Sequence, residues 1–145
     1  MKKFLKALAV LAAVAALGFG FASCSDDDDG GSGPSALAAF TYTDPNFLGG
    51  STETIYFYAG NNWECIERVP AMDHTGTDYK GTYKLTSGDF TNGKLDFTVV
   101  EHNGEKKGWE TASLEIKNGI FYLDIHSSGT LDVNDETSCD KYVKQ

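Results

Sequence analysis

The segment Tyr79-Lys80-Gly81-Thr82-Tyr83-Lys84-Leu85-Thr86 alternates without interruption. Tyr79, Gly81, Tyr83 and Leu85 fall on one side of an extended chain, and Lys80, Thr82, Lys84 and Thr86 on the other. That period of two is the pattern of a half-buried β-strand. Two other runs repeat it. Leu95, Phe97 and Val99 stand opposite Asp96 and Thr98, and Phe121, Leu123 and Ile125 stand opposite Tyr122, Asp124 and His126. From Ala38 onward no stretch offers three turns of amphipathic helix, so the expected domain is all-β.

Turn chemistry separates these runs. Asn118-Gly119 lies between Ala112–Ile116 and Ile120–His126, and Asn-Gly supplies the positive φ angles of a two-residue hairpin. Asn103-Gly104 joins a strand ending near Glu101 to one beginning near Lys107. Gly60-Asn61-Asn62 joins Thr54–Ala59 to Trp63–Val69. Further breaks fall at Ser87-Gly88-Asp89, Thr91-Asn92-Gly93 and Ser127-Ser128-Gly129. The reading is eight or nine short antiparallel strands over residues 38–145. They close into a small up-and-down β-barrel of about eight strands or pack as a β-sandwich. A meander of hairpins favours the barrel, because closure removes exposed edges. An immunoglobulin-type sandwich places a Trp after its first core Cys, whereas here Trp63 precedes Cys65.

Part of this text resembles a known family. Gly81-Thr82-Tyr83-Lys84-Leu85, Gly88-Asp89 and Gly93-Lys94-Leu95-Asp96-Phe97-Thr98 are similar to the hairpin repeats of bacterial lipocalin-like lipoproteins. The rest of the domain matches by rhythm alone. The Gly-x-Trp opening of true lipocalins is missing around Ala39-Phe40-Thr41-Tyr42. The resemblance implies a calycin-type barrel holding a small apolar or amphipathic ligand.

The first residues carry a different signal. Lys2, Lys3 and Lys6 precede an uncharged run from Ala7 to Phe21 that ends in Ala22 and Ser23. This is the layout of a signal peptide over residues 1–23. The run is shorter than the ~20 apolar residues a membrane span needs. Phe21-Ala22-Ser23-Cys24 resembles the lipobox of bacterial lipoproteins, with Phe21 at the position usually held by Leu. The resemblance implies cleavage before Cys24 and lipidation of that cysteine. Two or more acyl chains make such an anchor long-lived. Ordinary cleavage nearby, leaving a soluble secreted protein, is the other reading.

Residues 24–37 then form a tether. Asp26 to Asp29 repel one another and stay wet, and Gly30-Gly31-Ser32-Gly33-Pro34-Ser35 follows as a flexible linker. Acid placed beside the lipidated cysteine resembles the surface-export signal of some Gram-negative lipoproteins. That implies an outer-membrane, surface-exposed location. A plain solvated spacer is the alternative. A calcium loop would need a bidentate Glu in register and flanking helices, which the pattern lacks.

Charge narrows the partners. The formal net charge is −9, and every acidic residue lies beyond Cys24 while Lys2, Lys3 and Lys6 precede it. Removing those three lysines makes the mature chain more acidic still. Nucleic acid and charge-driven binding to anionic membranes both need clustered Lys and Arg, and neither is expected. With Cys24 lipidated, Cys65 and Cys139 remain as an even pair. Outside the cytoplasm they form a disulfide or stay as two unpaired thiols.

The chain shows no nucleophile elbow, phosphate loop or zinc spacing, so no enzyme activity, metal or cofactor is expected. His74 falls in a loop from Pro70 to Thr77, beside Asp73 and near Asp78. His102 opens an Asn-Gly turn. Asp124 and His126 share a face, as an acid–base or metal pair would, or as an ordinary exposed pair. Asp132, Asn134 and Glu136 alternate acceptors, either as a calcium-like turn or as a solvated loop. The remaining carboxylates are scattered along strands rather than gathered in one loop.

Aromatic residues stand out. Tyr56 and Tyr58 lie on one face of their strand with Ile55 and Phe57 on the other. Both faces are thus partly apolar. An internal cavity or an outward aromatic patch would account for this, as would the β propensity of Tyr alone. The candidate ligand-binding residues are Tyr56, Tyr58, Trp63, Tyr83 and Trp109. The expectation is a monomeric, surface-tethered binding module. It takes a small apolar molecule inside the barrel, or it recognises an extracellular protein or glycan through loops or outer face, as an adhesin or inhibitor does.

Overall fold

The computed structural model describes residues 35–109 and 111–145. The expected signal peptide, Cys24 and the expected tether as far as residue 34 lie outside the described residues. The described part is all-β and antiparallel. Its strands are β1 (Ala36–Asp44), β2 (Ser51–Tyr58), β3 (Asn62–Val69), β4 (His74–Gly88), β5 (Gly93–His102), β6 (Glu105–Lys106), β7 (Thr111–Ile116), β8 (Ile120–Ile125), β9 (Leu131–Val133) and β10 (Asp140–Lys144). They form one continuous curled sheet in the order β6-β5-β4-β3-β2-β1-β10-β8-β9, with β7 also paired to β5. Ten strands replace the expected eight or nine. The extra ones, β6 and β9, are two and three residues long, too short to show a period.

The expected meander holds from β1 to β5 and on to β7. The alternation holds from Tyr79 to Lys84, where Tyr79, Gly81 and Tyr83 are buried and Lys80, Thr82 and Lys84 exposed, but it stops at Leu85, which was expected on the buried side and is 37 % exposed. It lies within a longer strand. The loop expected over Pro70–Thr77 is shorter than that: a 3-10 turn covers Pro70–Met72, Asp73 takes a left-handed φ of 48°, and His74 already begins β4. Three register shifts, two against β5 and one against β3, bend this strand around the core. The chain also joins the sheet two residues before Ala38. Ala36 pairs with Tyr58 across a bulge, which leaves Leu37 outside the apolar alternation.

The sheet curls until β7 lies against β8 and β9. Near the Asn118-Gly119 turn, β7 and β8 are joined by a single bridge, Lys117 to Ile120. Farther along they part, and β9 enters beside β8. The gap is spanned by Asn134. Its backbone N–H donates to the Tyr122 carbonyl (3.0 Å). Its Oδ1 accepts from Glu115 N–H (2.7 Å), and its Nδ2 donates to the Ser113 carbonyl (2.8 Å). One side-chain amide thus supplies the donor and the acceptor that a neighbouring strand would offer β7. The φ of 63° at Asn134 is a conformation that Asn tolerates better than most residues.

The interior is filled by rings. Phe40, Phe57, Trp63, Phe97, Phe121 and Tyr142 are each under 2 % exposed. Trp63 stacks on Phe97 at 4.1 Å, Phe121 stacks on Tyr142 at 5.0 Å, and Phe57 meets Tyr83 edge-on at 5.0 Å. Such pairs each add about 0.5–1.5 kcal/mol beyond the area they bury.

Cys65 and Cys139 do not form the expected disulfide. The sheet order gives the reason. Cys65 is on β3 and Cys139 immediately precedes β10, and β2 and β1 run between those strands. A bridge needs Cα atoms within about 7 Å, which two intervening strands do not permit along the sheet.

Candidate functional site

The five candidate ligand residues do not gather at one place. Tyr83 is buried in the core, and its hydroxyl donates to the Tyr58 carbonyl (2.9 Å). Trp63 is also a core residue. Its indole N–H points at the carbonyls of Thr82 (3.1 Å) and Thr98 (3.2 Å). There the β4–β5 register slips beside Gly81, and the indole serves carbonyls at the irregularity. The remaining three reach the surface in two regions.

The first region is the outer face of β2 to β5. Pairing places Tyr56 opposite Glu64, Glu64 opposite Lys80, and Lys80 opposite Glu101. Tyr56 and Tyr58 stack with their rings 6.4 Å apart and inclined by 21°. The Tyr58 hydroxyl donates to Glu64 Oε1. Burial first, and then that carboxylate, push the phenol well above its ordinary range, so it remains a neutral donor. Lys80 Nζ lies 3.7 Å from Glu101 Oε1. Between Tyr58, Glu64, Lys80 and Glu101 runs an open groove of about 310 Å³, floored by Trp63 and Gly81 and lined also by Asn62, Thr82 and the exposed Val100, with Tyr56 stacked on Tyr58 outside its lining. An aromatic pair beside fixed donors and acceptors can hold an amphipathic surface and orient it by hydrogen bonds.

The second region surrounds Trp109. Its ring centroid lies 6.1 Å from that of Tyr79 and 5.9 Å from that of His102. Tyr79 and His102 stack at 4.4 Å, with ring planes 10° apart. His102 Nε2 is 3.4 Å from Asp78 Oδ1. Burial and the nearby acids, Asp78 foremost, raise the Tyr79 phenol far above its usual range. A cleft of about 460 Å³ opens between the segment leading into β7 and the turn after β8.

Two further groups of ionisable residues take shape. Asp124 and His126 do share a face, and Asp132 of β9 joins them. His126 Nε2 lies 2.8 Å from Asp132 Oδ2 and 3.8 Å from Asp124 Oδ2. At the end of the sheet formed by the β1–β2 and β3–β4 connections, Glu53 and Glu67 are directly paired across strands. They continue the inward sides of β2 and β3. Tyr142 donates its hydroxyl to Glu53 Oε2 (2.8 Å), and complete burial together with Glu53 drives that phenol well above its ordinary range. Sequence spacing gave no sign of the glutamate pair, because the residues are brought together by register. The acceptors expected in a calcium-like turn are dispersed. Asp132 meets His126, Asn134 rivets β7, and Glu136 accepts from Tyr122 (3.2 Å). Among the described residues no group of three or more His, Cys, Asp or Glu is arranged to hold a metal ion.

No family model, curated protein or solved structure matches the chain.

Proposed function

We propose that the protein is a binding module, tethered through lipidated Cys24 to the outer membrane, that recognises an extracellular protein or glycan with the outer face of β2 to β5. The observation that carries this reading is the contrast between the two sides of the sheet. Stacked rings fill the inner side around Phe57, Trp63 and Phe97, while Tyr56 and Tyr58 stack outward beside a groove. Capture of a small apolar molecule inside the barrel is what the lipocalin resemblance implies. It would need room that the packed rings occupy.

Native mass spectrometry of the exported chain separates the two. A clean apo mass is expected, together with binding to immobilised extracellular glycoproteins that Tyr56→Ala and Tyr58→Ala each weaken about ten-fold. A co-purifying apolar species, released on denaturation and unaffected by those substitutions, would return the reading to the interior. Cys24→Ala should move the protein from the membrane fraction to the soluble one. Continued full partitioning into membranes would sink the anchor.

A further inference from the structure

The groove on the outer face has an apolar floor and an uneven balance of charge along its rim. The floor follows from a slip in register. Lys80 pairs with Glu101 and Gly81 with Val99, so Val100 is the extra residue of a bulge. It stands 39 % exposed in the groove, beside Gly81 and Trp63. At the rim, strand pairing sets Glu101 between Lys80 and Lys106, one cation on either side. Glu64 is set between Tyr56 and Lys80. Lys80 leans towards Glu101, with Nζ 3.7 Å from Oε1, while the hydroxyl donating to Glu64 is the neutral phenol of Tyr58. Negative charge is therefore concentrated at the Tyr58–Glu64 end of the groove.

That arrangement selects among ligands. A carboxylate or phosphate would be repelled by Glu64. A lipid tail could cover Val100 but would strip water from the carboxylate without replacing its hydrogen bonds. An arginine side chain satisfies both parts at once, since it carries an apolar stem and a planar cationic head. The stem would lie along Val100 and Gly81, and the guanidinium would donate to the Glu64 carboxylate beside the Tyr58 ring. A carboxylate has about four acceptor positions, and the Tyr58 hydroxyl takes one of them. Lys80 is no obstacle, because an exposed ion pair such as that with Glu101 is held weakly and the long side chain can swing aside. The formal charge of −9 also draws cations towards the surface.

We propose that the Tyr58–Glu64 end of the groove is the anchor site for an arginine side chain on an exposed segment of a partner protein. The inference rests on the outer face being the recognition surface and adds the chemistry of the partner.

The exported chain, isotope-labelled, is titrated with acetyl-Gly-Gly-Arg-Gly-Gly-amide and with the same peptide carrying citrulline, a neutral isostere of arginine. Saturable amide shifts centred on Tyr58, Glu64, Gly81 and Val100 are expected with the arginine peptide. The citrulline peptide should bind about ten-fold more weakly, and Glu64→Gln should bring the arginine peptide down to about the same level. Lys80→Gln removes the competing ammonium and should tighten binding by about two- to three-fold, so it stays informative if Glu64→Gln fails to fold. Glu136→Gln, which removes an acid on the segment after β9, should change nothing. Equal affinity for the two peptides, no saturable shift with either, or shifts centred away from the groove would each overturn the assignment. So would an equal loss in Glu136→Gln, which would trace binding to overall acidity.

The glycoprotein assay separates this failure from failure of the surface itself. Binding that Tyr56→Ala weakens and Glu64→Gln does not would keep the outer face as the recognition surface and rule out a cationic anchor, as with a neutral glycan. Glycoprotein binding that neither substitution touches would remove the surface as well.

Discussion

At the scale of single residues, the tightest point in the fold is Gly81. A Cβ added there would lie 1.9 Å from the Thr98 carbonyl oxygen and 2.6 Å from the Trp63 ring. The first of those atoms is backbone and cannot swing away. Gly81→Ala should therefore cost about 3 kcal/mol, the upper end of ordinary overpacking, read as a lower urea midpoint with an unchanged slope. The sequence did place Gly81 on the buried side of its strand. It did not reveal that the glycine makes room for an indole, since Trp63 arrives from another strand.

Acid acts on single residues too. Asp89 is held below the usual carboxylate range by the N–H groups of Asn92 and Thr91. Asp135 is held low by Thr137 and the Ser138 hydroxyl. A folded-state pKa that is depressed gives stability above the unfolded value near 4 and loses it as pH falls through the lower, folded value. The β4–β5 turn and the segment after β9 should therefore hold at pH 5 and loosen only well below pH 4. Amide shifts of Thr91, Asn92 and Thr137 in an NMR titration would show it. Asp89→Asn should abolish the acid step at Thr91 and leave that at Thr137. Movement of these amides between pH 6 and 5 would contradict the assignment.

At the scale of elements, long strands with regular alternation were legible and short or bent ones were not. Leu95, Phe97 and Val99 in β5, and Phe121, Leu123 and Ile125 in β8, are buried as their spacing implies. β9 escaped notice because Leu131-Asp132-Val133 looks the same as a loop with two apolar residues. Its position explains the weight placed on Asn134. Asn134→Ala removes two hydrogen bonds from the β7 seam and should cost about 1–2 kcal/mol. Hydrogen exchange should quicken at the Glu115 amide while the β2–β3 ladder is unaffected. Asn134→Asp retains the acceptor for Glu115 and loses the donor to Ser113, so about half the effect should remain. Uniform acceleration across all strands would mean that the seam has no separate stability.

For the molecule as a whole, the cysteines distinguish the sheet order from the disulfide suggested by counting. In folded protein from an oxidising compartment, thiol labelling should modify Cys139 and spare Cys65 until the chain unfolds. Cys65 is 0 % exposed. The reaction at Cys139 should be slow at neutral pH, because partial burial raises its thiol above the usual range. A mass two hydrogens light with neither cysteine reactive would mean that β3 and β10 approach more closely than the strand order allows. The class of fold was legible because every hairpin repeats one local rule. The surface regions were not, because Tyr56, Glu64, Lys80 and Glu101 become neighbours only through pairing across four strands.

The pairing of β1 with β10 also has a consequence in time. Phe40 sits opposite Lys144, so the first and last strands are partners. Their contact spans nearly the whole described chain, and the entropy of closing so large a loop must be met before β1 gains its second neighbour. A polypeptide emerging amino end first leaves β1 with one open edge until β10 arrives. Completion of the sheet is thereby deferred until β10 has been made, and until then the edge of β1 stays open to pairing with another chain.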